Sequence, residues 1–168
     1  EEMEAEIESI DNYTTLDQLP QTYIEAVLAV EDKRFYRHPG IDPIAIGRAL
    51  VNDIRAGSYV EGGSTITQQL AKNQFFTQDK KLVRKISEMF MAFQIESVLD
   101  KDKILELYVN SIFFGNGYYC VADASEGYFR CPECIFSRAK GEHNHRTVLT
   151  DHHAFAAEKG NRLYGTEK

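Results

Sequence analysis

The stretch Lys80–Leu99, KKLVRKISEMFMAFQIESVL, decides the fold. Leu82, Val83, Ile86, Met89, Phe90 and Phe93 recur at the helical period over about five turns, and no glycine or proline interrupts them. This pattern predicts a long amphipathic helix whose apolar stripe enters the core. Arg84, Lys85 and Glu88 share the other side, because three and four residues separate the two bases from the acid. Working downstream, Asp100 opens a helix that carries Ile104, Leu105, Tyr108 and Ile112 and is expected to stop at Gly115, a residue suited to a left-handed cap. Upstream, Thr65 with Gln68 has the form of a capping box, so a helix should run from there to about Asn73. Asp42-Pro43 pairs a capping acceptor with a proline at the first helical position, ahead of Ile44, Ala45, Arg48, Val51 and Ile54 and the terminating Gly57. Tyr23, Val27 and Val30 predict a helix from about Pro20 to about Lys33, with Glu31 and Asp32 near its end. No stretch alternates long enough to demand a sheet. The fold class is mainly α.

The 168 residues are enough for about one domain, and 43% hydrophobic residues can fill its core. Acidic residues outnumber basic ones 26 to 19, for a net charge of −7, which argues against a nucleic-acid partner. No run approaches the roughly 18 apolar residues of a membrane span, so any anchor is expected upstream of this chain. Residues 1–15 read as an acidic, solvated lead-in and 16–129 as the helical domain. From Arg130 the character changes: residues 130–168 hold Cys131, Cys134, His143 and His145 and no apolar face, as a divergent and disordered tail would.

Three segments carry chemistry. In EDKRFYRHPG (31–40) the acidic pair is either a helix stop or a carboxylate at the lip of a cleft. GGSTITQQLAKN (62–73) concentrates hydroxyls, amides and a lysine on a short helix start, where unpaired N–H groups suit a phosphate or a sugar; a polar, solvated helix is the plain alternative. RKISE (84–88) is either a surface ion pair or, with Lys72, Lys80 and Lys81, part of an anion cradle.

Taken in order, EDKRFYRHPG, GGSTITQQLAKN, RKISE and KILELYVNSIFFGNGYY (103–119) resemble the first four motifs of the peptidoglycan glycosyltransferase domain of glycosyltransferase family 51. This is the transglycosylase of penicillin-binding proteins and of monofunctional cell-wall polymerases. The resemblance covers about Leu16 to Phe129. It implies a lysozyme-like helical domain with a small membrane-facing lobe, which polymerises lipid II into glycan strands at the outer face of the bacterial cytoplasmic membrane, with a fused or partner transpeptidase. Glu31 would be the general base that takes the proton of the acceptor 4-hydroxyl, and Glu88 the second carboxylate, orienting the donor or a basic neighbour. Lys72, Lys80, Arg84 and Lys85 would hold the donor diphosphate. Ser64, Thr65, Gln68, Gln69 and Asn73 would contact sugar and phosphate, with Thr65 open to a purely capping role. Phe35, His38 and Gly40 complete the first motif, His38 as a structural hydrogen-bonding residue; Tyr108 and Asn110 would support the cleft wall. A divalent cation such as magnesium would come with the diphosphate, since the four motifs contain no dedicated metal cage.

Two positions depart from the pattern. Cys120 and Arg130 stand where the family commonly has glycine, and beyond Arg130 its next helix and fifth motif are not recognisable. Without that cover, Phe90, Phe93, Ile104 and Tyr108 are expected to keep part of their surface in water. Two other readings follow: an inactive lipid II-binding module, and a small zinc-binding module in the tail built on Cys131, Cys134, His143 and His145.

Overall fold

A computed structural model describes residues 2–58, 62–76 and 82–130. Among them are α1 (Glu2–Glu8), α2 (Gln21–Glu31), α3 (Pro43–Ala56), α4 (Ile66–Phe75), α5 (Leu82–Val98), α6 (Lys101–Val109) and α7 (Val121–Phe129), with single 3-10 turns at Leu16–Gln18 and Phe35–Arg37. The described residues contain no strand, only an isolated bridge between Gly115 and Tyr118. The architecture is mainly helical, as the periodicity requires. The tail from Cys131 and its zinc reading lie outside the described residues.

The expected helix starts are the observed ones. Asp42 caps α3 by accepting from the N–H groups of Ile44 and Ala45, each at 3.0 Å, and Gly57 ends that helix in the left-handed region. Asp100 caps α6 through the N–H of Lys103 at 2.8 Å. The core gathers Ile24, Val27, Phe35, Ile66, Leu70, Ile104, Leu105, Tyr108 and Val121, so α4 and α6 run through its middle.

Four expectations need correction. The acidic lead-in is not simply solvated: Met3 and Ile7, four residues apart on α1, are buried against the core, and Lys103 ties Glu8 to Glu106 of α6. An apolar pair at helical spacing was enough to dock a segment whose charges suggested solvent. Next, α6 ends at Val109 rather than Gly115. Asn110 caps that end, its own N–H still on the Glu106 carbonyl, while its side chain takes both backbone groups of Thr14, accepting from the N–H at 2.9 Å and donating to the carbonyl at 2.7 Å. Gly115 instead serves a tight turn, closed by the Tyr118 N–H on its carbonyl at 2.8 Å.

The third correction concerns α5. Its apolar stripe faces outward, with Val83, Ile86, Phe90 and Phe93 between 44% and 72% exposed, while Glu88, Ala92 and Ile95 turn inward. Periodicity shows that a helix has two faces; it does not say which one the core takes. On α3, likewise, Ile44, Leu50, Val51 and Ile54 are exposed and only Ala49 is buried. The fourth follows from the same geometry: Phe90 and Phe93 are exposed as expected, but Ile104 and Tyr108 are fully buried.

The last described helix, α7, was not anticipated. Cys120 caps it, its sulfur accepting from the Asp123 N–H at 3.3 Å, in extended backbone that does not require glycine. Burial pushes the Cys120 thiol up to about 11. Arg130 ends α7 at φ 51 and ψ 33, the left-handed region that costs a residue with a side chain about 1–2 kcal/mol and glycine nothing.

Candidate active site

The site is organised around the start of α4. Thr65 and Gln68 form the anticipated capping box: the Thr65 hydroxyl accepts from the Gln68 N–H at 3.1 Å, and the Gln68 carbonyl oxygen accepts from the Thr65 N–H at 3.1 Å. The same hydroxyl donates to the Gly40 carbonyl at 2.6 Å, which staples the 31–40 loop to α4. Both side chains are buried, so the geometry gives Thr65 the capping role that its sequence left open beside substrate contact. A second staple comes from Asp32, whose carboxylate accepts from the Ile66 N–H at 3.2 Å and from His38 Nε2 at 2.9 and 3.0 Å. A carboxylate only accepts, so Nε2 carries the proton. Gly40 sits at φ 93, and a Cβ there would lie 3.0 Å from the Ala92 carbonyl oxygen of α5. Only glycine lets the loop come this close.

Three further residues complete the frame. Arg34 grips Asp42 with two hydrogen bonds, at 2.8 and 2.5 Å, so a single carboxylate both caps α3 and anchors the loop. Lys101 donates to the His38 carbonyl and to Glu96, each at 2.7 Å, and its ammonium lies 4.4 Å from the centre of the Phe35 ring. Glu96 also accepts from Thr67 at 2.5 Å. Sequence reading missed Arg34, Glu96 and Lys101 because each acts outside the three- and four-residue spacings of a helix, Arg34 across a loop to Asp42, Glu96 on Thr67 of α4 and Lys101 on the His38 carbonyl. No spacing rule links Lys101 to His38.

This frame presents two groups of candidate side chains. Glu31, the last residue of α2, accepts from Gln69 Nε2 at 2.8 Å, and the Tyr108 hydroxyl donates to Gln69 Oε1 at 3.3 Å. On α5, Lys85 donates to Ser64 Oγ at 2.7 Å and to Glu88 at 3.2 Å. Arg84 Nε lies 2.8 Å from the other oxygen of Glu88 with its N–H turned off that oxygen, a Coulombic pair rather than a hydrogen bond. The expected surface ion pair is therefore half internal: the Glu88 side chain is 2% exposed, that of Arg84 20% and that of Lys85 42%. Lys72 is half-buried on α4, and Asn73 follows it, exposed. Lys80 lies outside the described residues. The segment from Ser64 to Gln69 thus joins the carboxylate of α2 to the cations of α5.

Asp32, His38 and Asp42 bring possible metal ligands within 4.8 Å of one another. They do not fit a cation. Asp32 is committed to His38 and the Ile66 N–H, and Asp42 to the Arg34 guanidinium and two N–H groups of α3. Another positive charge beside that guanidinium would be repelled.

The Transglycosylase family model matches residues 2–139, which include the lead-in helix and all four motifs. The chain belongs to the Transglycosylase family. Relatives agree: penicillin-binding protein 1F of Bacillus subtilis (strain 168) is 52% identical over 115 residues, covering 68% of this chain and 16% of the relative. Penicillin-binding protein 1A of Aquifex aeolicus (strain VF5) is 51% identical over 117 residues, 70% of this chain and 16% of the relative. Penicillin-binding protein 1A of Escherichia coli (strain K12) is 49% identical over 115 residues, 68% of this chain and 14% of the relative. The match thus spans about a sixth of these relatives' length. In this Transglycosylase chain the most specific motif, GGSTITQQLAKN, is also the segment on which the site turns.

Proposed function

We propose that this chain is a peptidoglycan glycosyltransferase unit of bacterial cell-wall synthesis, built on residues 16–129 with the lead-in packed beside them. The observation that carries the reading is the Ser64–Gln69 segment, which holds Glu31 at one end and the Lys85–Glu88–Arg84 group at the other. Inverting glycosyl transfer from a lipid diphosphate needs both. Glu31 removes the proton of the acceptor 4-hydroxyl as its oxygen attacks the anomeric carbon of the growing chain; the carbon–oxygen bond to undecaprenyl diphosphate breaks, and the leaving group departs with the electron pair. Arg84 and Lys85, with Lys72 and Lys80, balance the charge that develops on that diphosphate. Glu88 keeps the two α5 cations in place. Ser64, Gln69 and Asn73 offer hydroxyl and amide groups to the sugars, while Thr65 and Gln68 hold the start of α4.

The substrates are lipid II and the growing glycan chain, and a divalent cation such as magnesium accompanies the diphosphate without a protein cage. The enzyme works at the extracytoplasmic face of the cell membrane, alongside a transpeptidase on the same or a partner chain. No described helix is long and apolar enough to cross a membrane, and the exposed Ile44, Leu50, Val51 and Ile54 of α3 supply the face by which the small lobe rests on it. Binding of a moenomycin-type phosphoglycolipid by the Arg84→Ala and Lys85→Ala chains tests the donor site. Charge-assisted hydrogen bonds contribute about 1.5–3 kcal/mol, so each change should weaken binding about 10- to 100-fold. Unaltered affinity in both would reduce the α5 bases to a surface ion pair.

A further inference from the structure

Behind Glu31 the hydrogen bonding continues past Gln69 to Tyr108, a residue that the transfer reaction above does not use. Tyr108 of α6 donates to Gln69 Oε1 of α4, and Gln69 Nε2 donates to Glu31 Oε2 of α2. Two helices thus reach the carboxylate of a third through one amide. We propose that Tyr108 is a positioning residue: acting through Gln69, it holds the Glu31 carboxylate in a single orientation. The proposal rests on the reading of Glu31 as the base and extends it inward.

The chemistry favours this direction of hold. A glutamine amide has a donor end and an acceptor end, and a carboxylate accepts only from the donor end. A tyrosine hydroxyl on the carbonyl oxygen pins the other end, so the amide is held at two points and cannot turn without losing both contacts. Tyr108 is fully buried within the core, and its ring cannot follow a moving Gln69. Burial first, then the negative charge of Glu31 and the nearness of Tyr23 and Asp32, hold the Tyr108 hydroxyl protonated well above its ordinary range, so it remains a donor throughout working pH. Tyr23 on α2 is the internal contrast. Its hydroxyl is equally buried and also feels the charge of Glu31, yet among the described residues it has no hydrogen-bond partner and no link to Gln69. If a buried tyrosine near Glu31 were all that mattered, the two residues would be equivalent.

The experiment uses the full chain unmodified and as Tyr108→Phe, Gln69→Ala, Gln69→Ala/Tyr108→Phe and Tyr23→Phe. Two quantities are read: the side-chain amide signal of Gln69 in a proton–nitrogen NMR spectrum, identified by its loss in Gln69→Ala, and kcat and KM for lipid II polymerisation. Tyr108→Phe removes one oxygen from the core, and a thermal transition confirms that the variant folds. It should move the Gln69 signal and lower kcat about tenfold with little change in KM, short of the roughly hundredfold that a misplacement of about 1 Å costs. Tyr23→Phe should do neither, and Tyr108→Phe should add nothing once Gln69 is alanine, because Tyr108 acts through it. The proposal is overturned if Tyr108→Phe leaves the Gln69 signal in place, or slows the Gln69→Ala chain as much as the unmodified one. A moved Gln69 signal with kcat unchanged supports the Tyr108–Gln69–Glu31 linkage and counts against Glu31 as base, so the two failures are told apart.

Discussion

Replacing Glu88 by alanine tests the electrostatic heart of the site. The Glu88 side chain is 2% exposed and stands between Arg84 at 2.8 Å and Lys85 at 3.2 Å. Alanine removes the negative charge, leaves two cations on consecutive residues one helical turn before it and opens a hole where the carboxylate was. Breaking a fully buried pair costs about 3–5 kcal/mol. Here Arg84 and Lys85 are 20% and 42% exposed and can recover water, so about 2–3 kcal/mol is the appropriate range. For a chain of this size that lowers the thermal midpoint by about 5–10 °C. Circular dichroism melting at neutral pH measures it. Two companions separate charge from volume: Glu88→Gln keeps the shape, and Arg84→Ala/Glu88→Ala removes one stranded cation and should recover part of the loss. A midpoint within about 2 °C of the unmodified chain, or a double variant less stable than Glu88→Ala alone, would refute the idea that Glu88 is held inside as the counter-charge of the α5 bases.

Gly40→Ala forces a side chain onto a left-handed backbone and 3.0 Å from the Ala92 carbonyl, so it should lower stability in urea by about 1–3 kcal/mol; equal stability would show that the loop can retreat from α5 without cost. Acid should destabilise the fold through Asp42 and Glu106. Burial raises both carboxyls, but Arg34 and the capping N–H groups of α3 outweigh it at Asp42, as Tyr13, the Leu16 N–H and Lys103 do at Glu106, leaving both below the usual range. The folded chain then binds fewer protons than the unfolded one. Their contribution is fully present above the unfolded values of about 4 and is lost as pH falls through the depressed ones, so the thermal midpoint should hold from about pH 7 to 5 and drop below about pH 4. Glu106→Gln should flatten that drop, and a midpoint that rises on acidification would contradict the assignment.

Helix starts were readable in this chain because capping is local: Asp42, Thr65 and Asp100 each act within three residues, and the structure repeats the sequence rule. What a helix faces is not local. The stripe Val83, Ile86, Phe90 and Phe93 has the period of a core face, yet the core took Glu88, Ala92 and Ile95, since a carboxylate answered by two bases could go in while the aromatics stayed out. Ends proved harder than starts for a similar reason. At the end of α6, the Asn110 side chain binds the backbone of Thr14, almost a hundred positions earlier, a partner no local pattern names. Of the site, Glu31, Gln69, Lys85 and Glu88 were singled out from their motifs, and the structure brings them onto neighbouring helices. The supports Arg34, Glu96, Lys101 and the Tyr108–Gln69 link could only emerge from the fold.

The most direct test of the whole account is the rate of lipid II polymerisation by the Glu31→Gln chain, measured beside its binding of a moenomycin-type phosphoglycolipid. Glutamine keeps the shape and an acceptor oxygen but cannot take a proton. The account predicts a rate lower by about 10²–10⁴ with binding retained. Glycan synthesis within a few-fold of the unmodified chain would contradict it.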